Sequence, residues 1–227
     1  MSAPRPQSAF MALLRRDMKL AFRAGGGASL AAAFFALVSA LVPFGVGADQ
    51  VLLGRIAGGV LWVSAALAAL LSLDRLFQAD FEDGSLDVIT LSPLSLEKTA
   101  AAKILAHWLT TGLPLVVLSP VLGLLLNLPG PGYAVLAGSL LIGTPALSGV
   151  GAIGAALTIS IRRGGLILAL IVLPLITPAL IFGAGAVMDA LDGTNRGAFF
   201  LLAAFSVAAV GLSPFAAAAS VRLNLAG

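Results

Sequence analysis

The chain contains no cysteine, one histidine and little charge. Without cysteine there is no disulfide and no thiolate metal site, and a single histidine cannot form an imidazole cluster. Charged residues are 10% of the 227, against about 25% in a soluble domain, too few to clothe a water-facing surface. No G-x-x-x-x-G-K-[ST] segment occurs, because Lys19, Lys98 and Lys103 all lack the preceding glycine. The chain therefore cannot hydrolyse ATP through a P-loop of its own. A net charge of +3 does not mark a nucleic-acid binder.

What is present is apolar: 59% of residues are hydrophobic, arranged in long runs. A bilayer core asks for roughly 20 apolar residues per helix. Six runs meet that length, near 28–46, 51–73, 99–126, 133–161, 166–188 and 198–221. Of the 13 lysines and arginines, placing the N-terminus in the cytoplasm leaves 11 inside, with only Arg55 and Arg196 outside. The positive-inside rule thus predicts six spans with both termini cytoplasmic. Val46-Gly47-Ala48 loosely resembles a cleavage site, but the basic region and apolar run before it are too long for a signal peptide. The first run is expected to remain as a helix.

Before the first span, residues 8–23 read as an amphipathic elbow helix. Phe10, Leu14, Met18 and Phe22, with Leu13 and Ala21 beside them, form an apolar face. Arg15 precedes a cationic face of Arg16, Lys19 and Arg23. Such a helix either lies in the cytoplasmic interface near anionic headgroups or packs on the bundle. Gly25-Gly26-Gly27 supplies the turn into the first span.

The segment 74–98 departs from the basic pattern. Asp74, Asp80, Glu82, Asp83, Asp87 and Glu97 oppose Arg75 and Lys98, a net of −4. Leu73, Leu76, Phe77 and Phe81 share a helical face with the acids outside it. Asp83-Gly84 breaks that helix, and Ser85 is placed to cap a second one through Leu86, Val88 and Ile89. Ser92-Pro93 ends it, and Ser95 can cap the third span with Glu97 in its first turn. The two short helices form an acidic knob that is either a solvated loop or a docking element. Their capping and apolar spacing favour docking.

Inside the spans, Thr144, Ser148, Ala152, Ala156 and Ser160 recur every fourth residue, as do Gly54 and Gly58. Small residues at that spacing permit close helix contact, expected here mainly within the bundle. Pro114, Pro120, Pro145, Pro174, Pro178 and Pro214 predict kinks. His107, followed by Trp108, lies two turns into the third span. It is either a haem or proton-relay residue, or a neutral structural imidazole. Arg55 and Lys103 are near enough to helix ends to snorkel. Ser148-Gly149 with His107 admits a remote intramembrane serine protease, though the G-x-S-G is Ala146-Leu147-Ser148-Gly149 and the order is reversed.

The segment Glu82-Asp83-Gly84-Ser85-Leu86-Asp87, followed by Leu91-Ser92-Pro93-Leu94-Ser95, resembles the coupling-helix region of ABC-2-type exporter membrane domains. More specifically, Gly59-Val60-Leu61-Trp62-Val63, Leu71-Ser72-Leu73-Asp74-Arg75-Leu76-Phe77 and Lys103-Ile104-Leu105-Ala106-His107-Trp108-Leu109 resemble the haem exporter protein B family, CcmB. So do Gly143-Thr144-Pro145-Ala146-Leu147-Ser148, Arg162-Arg163-Gly164-Gly165, and Leu173-Pro174-Leu175 leading to Ile181-Phe182-Gly183-Ala184-Gly185. The resemblance implies an all-α, ABC-2-type integral membrane protein of the bacterial inner membrane, with residues 1–227 as one transmembrane domain. The broader ABC-2 likeness alone leaves open an exporter subunit for another amphipathic substrate, while the CcmB resemblance implies a non-catalytic subunit of cytochrome c maturation. Its expected partners are the ATPase CcmA, the membrane proteins CcmC and CcmD and, indirectly, the haem chaperone CcmE, with two copies per complex. Haem would be cargo, with no covalently bound cofactor.

Overall fold

The computed structural model describes residues 6–22, 27–47, 49–161, 164–194 and 196–225. Arg5, Arg23, Gly25, Gly26, Ala48, Arg162 and Arg163, which enter the sequence reading, lie outside the described residues. The described chain forms helices α1 (Pro6–Ala21), α2 (Gly27–Val46), α3 (Gln50–Leu73), α4 (Arg75–Glu82) and α5 (Ser85–Thr90). After these come α6 (Leu96–His107), α7 (Leu113–Leu125), α8 (Gly130–Leu157), α9 (Gly164–Leu191) and α10 (Ala198–Leu225). A five-residue π-turn, Trp108–Gly112, joins α6 to α7 within one continuous helix.

Six helices are long and apolar enough to cross a membrane: α2, α3 running on into α4, α6 with α7, α8, α9 and α10. In hydrocarbon the backbone must satisfy its own hydrogen bonds, so apolar runs of this length become helices. No strand occurs among the described residues. Asp49 caps α3, accepting from the Val51 and Leu52 amides at 3.0 Å. Ser95 caps α6 by accepting from the Lys98 amide, as its position predicts. The third span begins a few residues earlier than the apolar run, because this cap sits at 95. The fourth ends at Leu157, leaving Ser160 exposed beyond it.

The helix α8 is the hub. Within its most apolar stretch 72% of residues are buried, against 17% in α2 and α10 and 22% in α9. Thr144, Ser148, Ala152 and Ala156 are buried on it, so that stripe serves packing within the chain. Trp62 of α3 is fully buried, and its indole N–H donates to Ser139 Oγ of α8 at 3.1 Å. Its ring fills a slot that two glycines leave open. A Cβ on Gly143 of α8 would lie 2.3 Å from the indole, and one on Gly183 of α9 only 2.1 Å. Three segments that carry the family resemblance thus meet around one side chain.

Proline accounts for the irregular third span. Pro114 offers no N–H, and its ring crowds the carbonyl four residues back, at Thr110. The chain widens its turn there, and the Leu113 amide reaches the Trp108 carbonyl instead. Thr110 Oγ1 donates to the Ala106 carbonyl at 2.8 Å.

The two ends of the bundle are distinct. At the proximal end, Arg222 of α10 pairs with Glu97 of α6, and α1, α4 and α5 gather beside them. At the distal end, the Asn127 side chain donates to the Gln50 carbonyl at 3.1 Å. Leu13 of α1 packs with Leu94 and with Ala102 of α6, so α1 rests on the bundle. Met11, Leu20 and Phe22 remain exposed.

Candidate functional site

The proximal knob is built by two short helices meeting at Gly84. This residue has φ 75°, the left-handed region where only glycine sits without strain, so the chain reverses sharply. Phe77 and Leu86 are buried and fix the knob to the bundle. Glu82, Asp83 and Asp87 are exposed, and so are Val88 and Leu91, at 69% and 87%. Ser85 does not cap α5, as its position suggests; it is the first residue of that helix. Its amide donates to Asp83 Oδ1 at 2.8 Å and its hydroxyl donates to Asp80 Oδ1 at 2.8 Å. Hydrogen bonding by Ser85 holds the Asp83 carboxyl below the usual carboxylate range.

Asp80 departs from the expected exposed acids: it is only 4% exposed. The reason is its partners. Lys103 of α6 and Arg16 of α1 both pair with it, and Ser85 adds the third bond. Lys103 does not snorkel; its ammonium is buried and donates to Asp80, to Asp17 Oδ2 at 3.1 Å and to the Leu76 carbonyl at 3.1 Å. These bonds use all three of its donors. The Phe77 ring lies 5.6 Å from the same nitrogen. Arg16 turns away from the cationic face expected of it, while Arg15 and Lys19 remain exposed. Two cations and two anions thus form a neutral cluster across α1, α4 and α6. Asp17, the lone acid in a basic helix, and Lys103, a charge inside a span, were the sequence signals of this cluster, though nothing local paired them.

One turn beyond Lys103, His107 is buried between three spans. Its Nε2 lies 2.8 Å from Ser72 Oγ on α3, and its Nδ1 lies 2.9 Å from Ser148 Oγ on α8. Ser72 donates its one hydrogen to the Ala69 carbonyl at 2.9 Å, and Thr111 donates to Ser72 at 3.2 Å. The donor count therefore assigns the proton to Nε2 and leaves the Nδ1 lone pair to the Ser148 hydroxyl. Ser148 and His107 are indeed adjacent, yet the second ring nitrogen meets a hydroxyl and not an orienting carboxylate. This arrangement ties the third span to α3 and α8. Trp108 donates to Thr144 Oγ1 at 3.1 Å, a further link from the third span to α8.

A cavity of about 410 Å³ lies between α1, the α3–α4 corner and the third span. Leu20, Ala28 and Ala106 give it apolar lining, and Arg16, Asp80, His107 and Thr111 give it polar groups. Its size falls in the usual range for small-molecule sites, and its mixed lining suits an amphiphile. No group of three or more potential metal ligands occurs among the described residues.

The family model described as CcmB protein matches residues 8–224. The chain is 60% identical over 215 residues to the heme exporter protein B of Paracoccus denitrificans, covering 94% of this chain and 99% of that protein. It is 47% identical over 217 residues to the heme exporter protein B of Pseudomonas aeruginosa, covering 95% and 97%. To that of Escherichia coli it is 43% identical over 218 residues, covering 95% and 99%.

Proposed function

The chain belongs to the CcmB protein family, and from that premise we propose that it is the membrane subunit of an ABC-type haem-export complex in cytochrome c maturation. It does no chemistry of its own. A cytosolic ATPase, CcmA, hydrolyses ATP, and this subunit turns the resulting movement into helix displacement. That displacement serves haem delivery to the periplasmic chaperone CcmE or release of the loaded chaperone, with CcmC and CcmD as membrane partners. The complex sits in the bacterial inner membrane with the proximal end and both termini in the cytoplasm. Two copies of this single transmembrane domain form its core, haem is cargo, and α1 is the interfacial elbow.

The observation that carries this reading is the knob. Glu82, Asp83 and Asp87 stand exposed beside Val88 and Leu91, while Phe77 and Leu86 hold the same segment to the bundle. Acidic and apolar groups on one small projection complement a partner groove with a basic rim. Its inner face passes any push directly to the spans.

Charge reversal at Glu82 and Asp87 tests it. With Glu82→Lys and Asp87→Lys together, the ATPase subunit is expected to be lost from the purified complex, and cytochrome c maturation to fall at least tenfold. Retained co-purification and normal ATP-dependent maturation would overturn the reading.

A further inference from the structure

The charge cluster has a mechanical meaning that rests on the proposed function and deepens it. Every bond made by the Lys103 ammonium leaves its own helix: Asp17 belongs to α1, and Asp80 and Leu76 belong to α4. Four residues on, His107 shares its helical face and is bonded to Ser72 of α3 and Ser148 of α8. The third span is therefore held at two points one turn apart, by the knob-bearing segment at one and by the bundle at the other. Immediately after the second point comes the wide turn Trp108–Gly112.

We propose that Lys103 is the positioning residue through which displacement of the knob reaches the third span, and that the span yields at Trp108–Gly112. Opening the cluster would strand charges in a buried site, so α4 and Lys103 move as one body. Softness, by contrast, is concentrated beyond His107. There the hydrogen-bond pattern is already irregular, and Pro114 withholds a donor from the next turn. The exposed pair Glu97–Arg222 is no substitute, since water replaces its partners when it opens. The cavity follows the same movement, because Lys103, Ala106, His107, Thr110 and Thr111 form its third-span wall.

The absence of cysteine makes the test direct, since introduced cysteines carry the only spin labels. Val88→Cys with Val207→Cys reports the knob against α10, and Lys98→Cys with Val207→Cys reports the proximal half of the third span against α10; all three sites are exposed. Distances are measured by pulsed electron resonance in liposomes holding the full chain with its ATPase subunit, before and after trapping with ATP and vanadate. In the unmodified background both distances are expected to change on trapping. With Lys103→Met the first change persists and the second is lost, while Lys103→Arg, which keeps the charge, retains it. Should Lys103→Met fail to accumulate, the isosteric Asp80→Asn takes its place with the same expectation.

A third-span change that survives Lys103→Met or Asp80→Asn overturns the inference, as does a third span that never moves although the ATPase is bound. Absence of the ATPase from the unmodified chain would instead overturn the proposed function, and this inference with it.

Discussion

His107 and Ser148 are joined across the third and fourth spans, Nδ1 to Oγ at 2.9 Å, with Ser72 closing on the other ring nitrogen at 2.8 Å. The ring is thus fully occupied by hydroxyls of its own chain. His107→Ala would orphan the Ser148 hydroxyl, a buried polar group worth about 1–3 kcal/mol when left unpaired, while Ser72 keeps Ala69 and Thr111. The expected result is a lower melting temperature in detergent with an unchanged haem absorbance spectrum of the purified chain. A shifted Soret band in the variant would reassign the ring as an iron ligand.

Gly183→Ala and Gly143→Ala each drive a methyl group into the Trp62 indole. Overpacking of this kind destabilises by about 1–3 kcal/mol. Trp62→Leu removes the obstruction, so the penalty of Gly183→Ala should shrink in that background. A double-mutant cycle of unfolding midpoints reads the coupling; simple additivity would place the clash elsewhere.

The two kinds of ion pair at the proximal end should separate cleanly by size. Lys103→Met removes one of the two cations of the buried cluster and leaves Asp17 and Asp80 to Arg16 alone, an effect of about 3–5 kcal/mol. Arg222→Ala breaks a pair whose arginine side chain is 55% exposed, and surface pairs contribute about 0–1 kcal/mol. Thermal unfolding of the two variants side by side gives the order, and equal losses would contradict the burial argument.

Gly84→Ala meets no neighbouring atom, so its whole effect comes from the backbone at φ 75°. A left-handed residue with a Cβ costs about 1–2 kcal/mol. The knob is expected to loosen, read as faster proteolysis between α4 and α5, with Gly84→Asn milder than alanine. Equal resistance in all three proteins would show that the turn tolerates a side chain.

The six spans were legible because hydropathy and length are properties of contiguous residues, and the α4–α5 break was legible because Gly84 marks it. Ser95 was readable as a cap for the same reason. Asp80 was misplaced because its burial depends on Lys103 and Arg16, which lie 23 and 64 positions away. A helical wheel sees an acid on the outer face and cannot see a cation arriving from another span. His107 shows the same limit: its two hydroxyls lie 35 and 41 positions away. Trp62 was a motif without a partner until α8 and α9 brought Gly143 and Gly183 to its ring.

The wide turn at Trp108–Gly112 also decides where the third span can change length. A π-turn is one surplus residue absorbed locally, with regular helix on either side. Deleting a single residue inside it would yield an ordinary helix and leave both flanking faces in place, Lys103 and His107 on one side and the outward Val117, Val121 and Leu124 on the other. The same deletion elsewhere in the span would swing one half by about 100°. It would carry either the charged tie or the outward valines to the wrong azimuth.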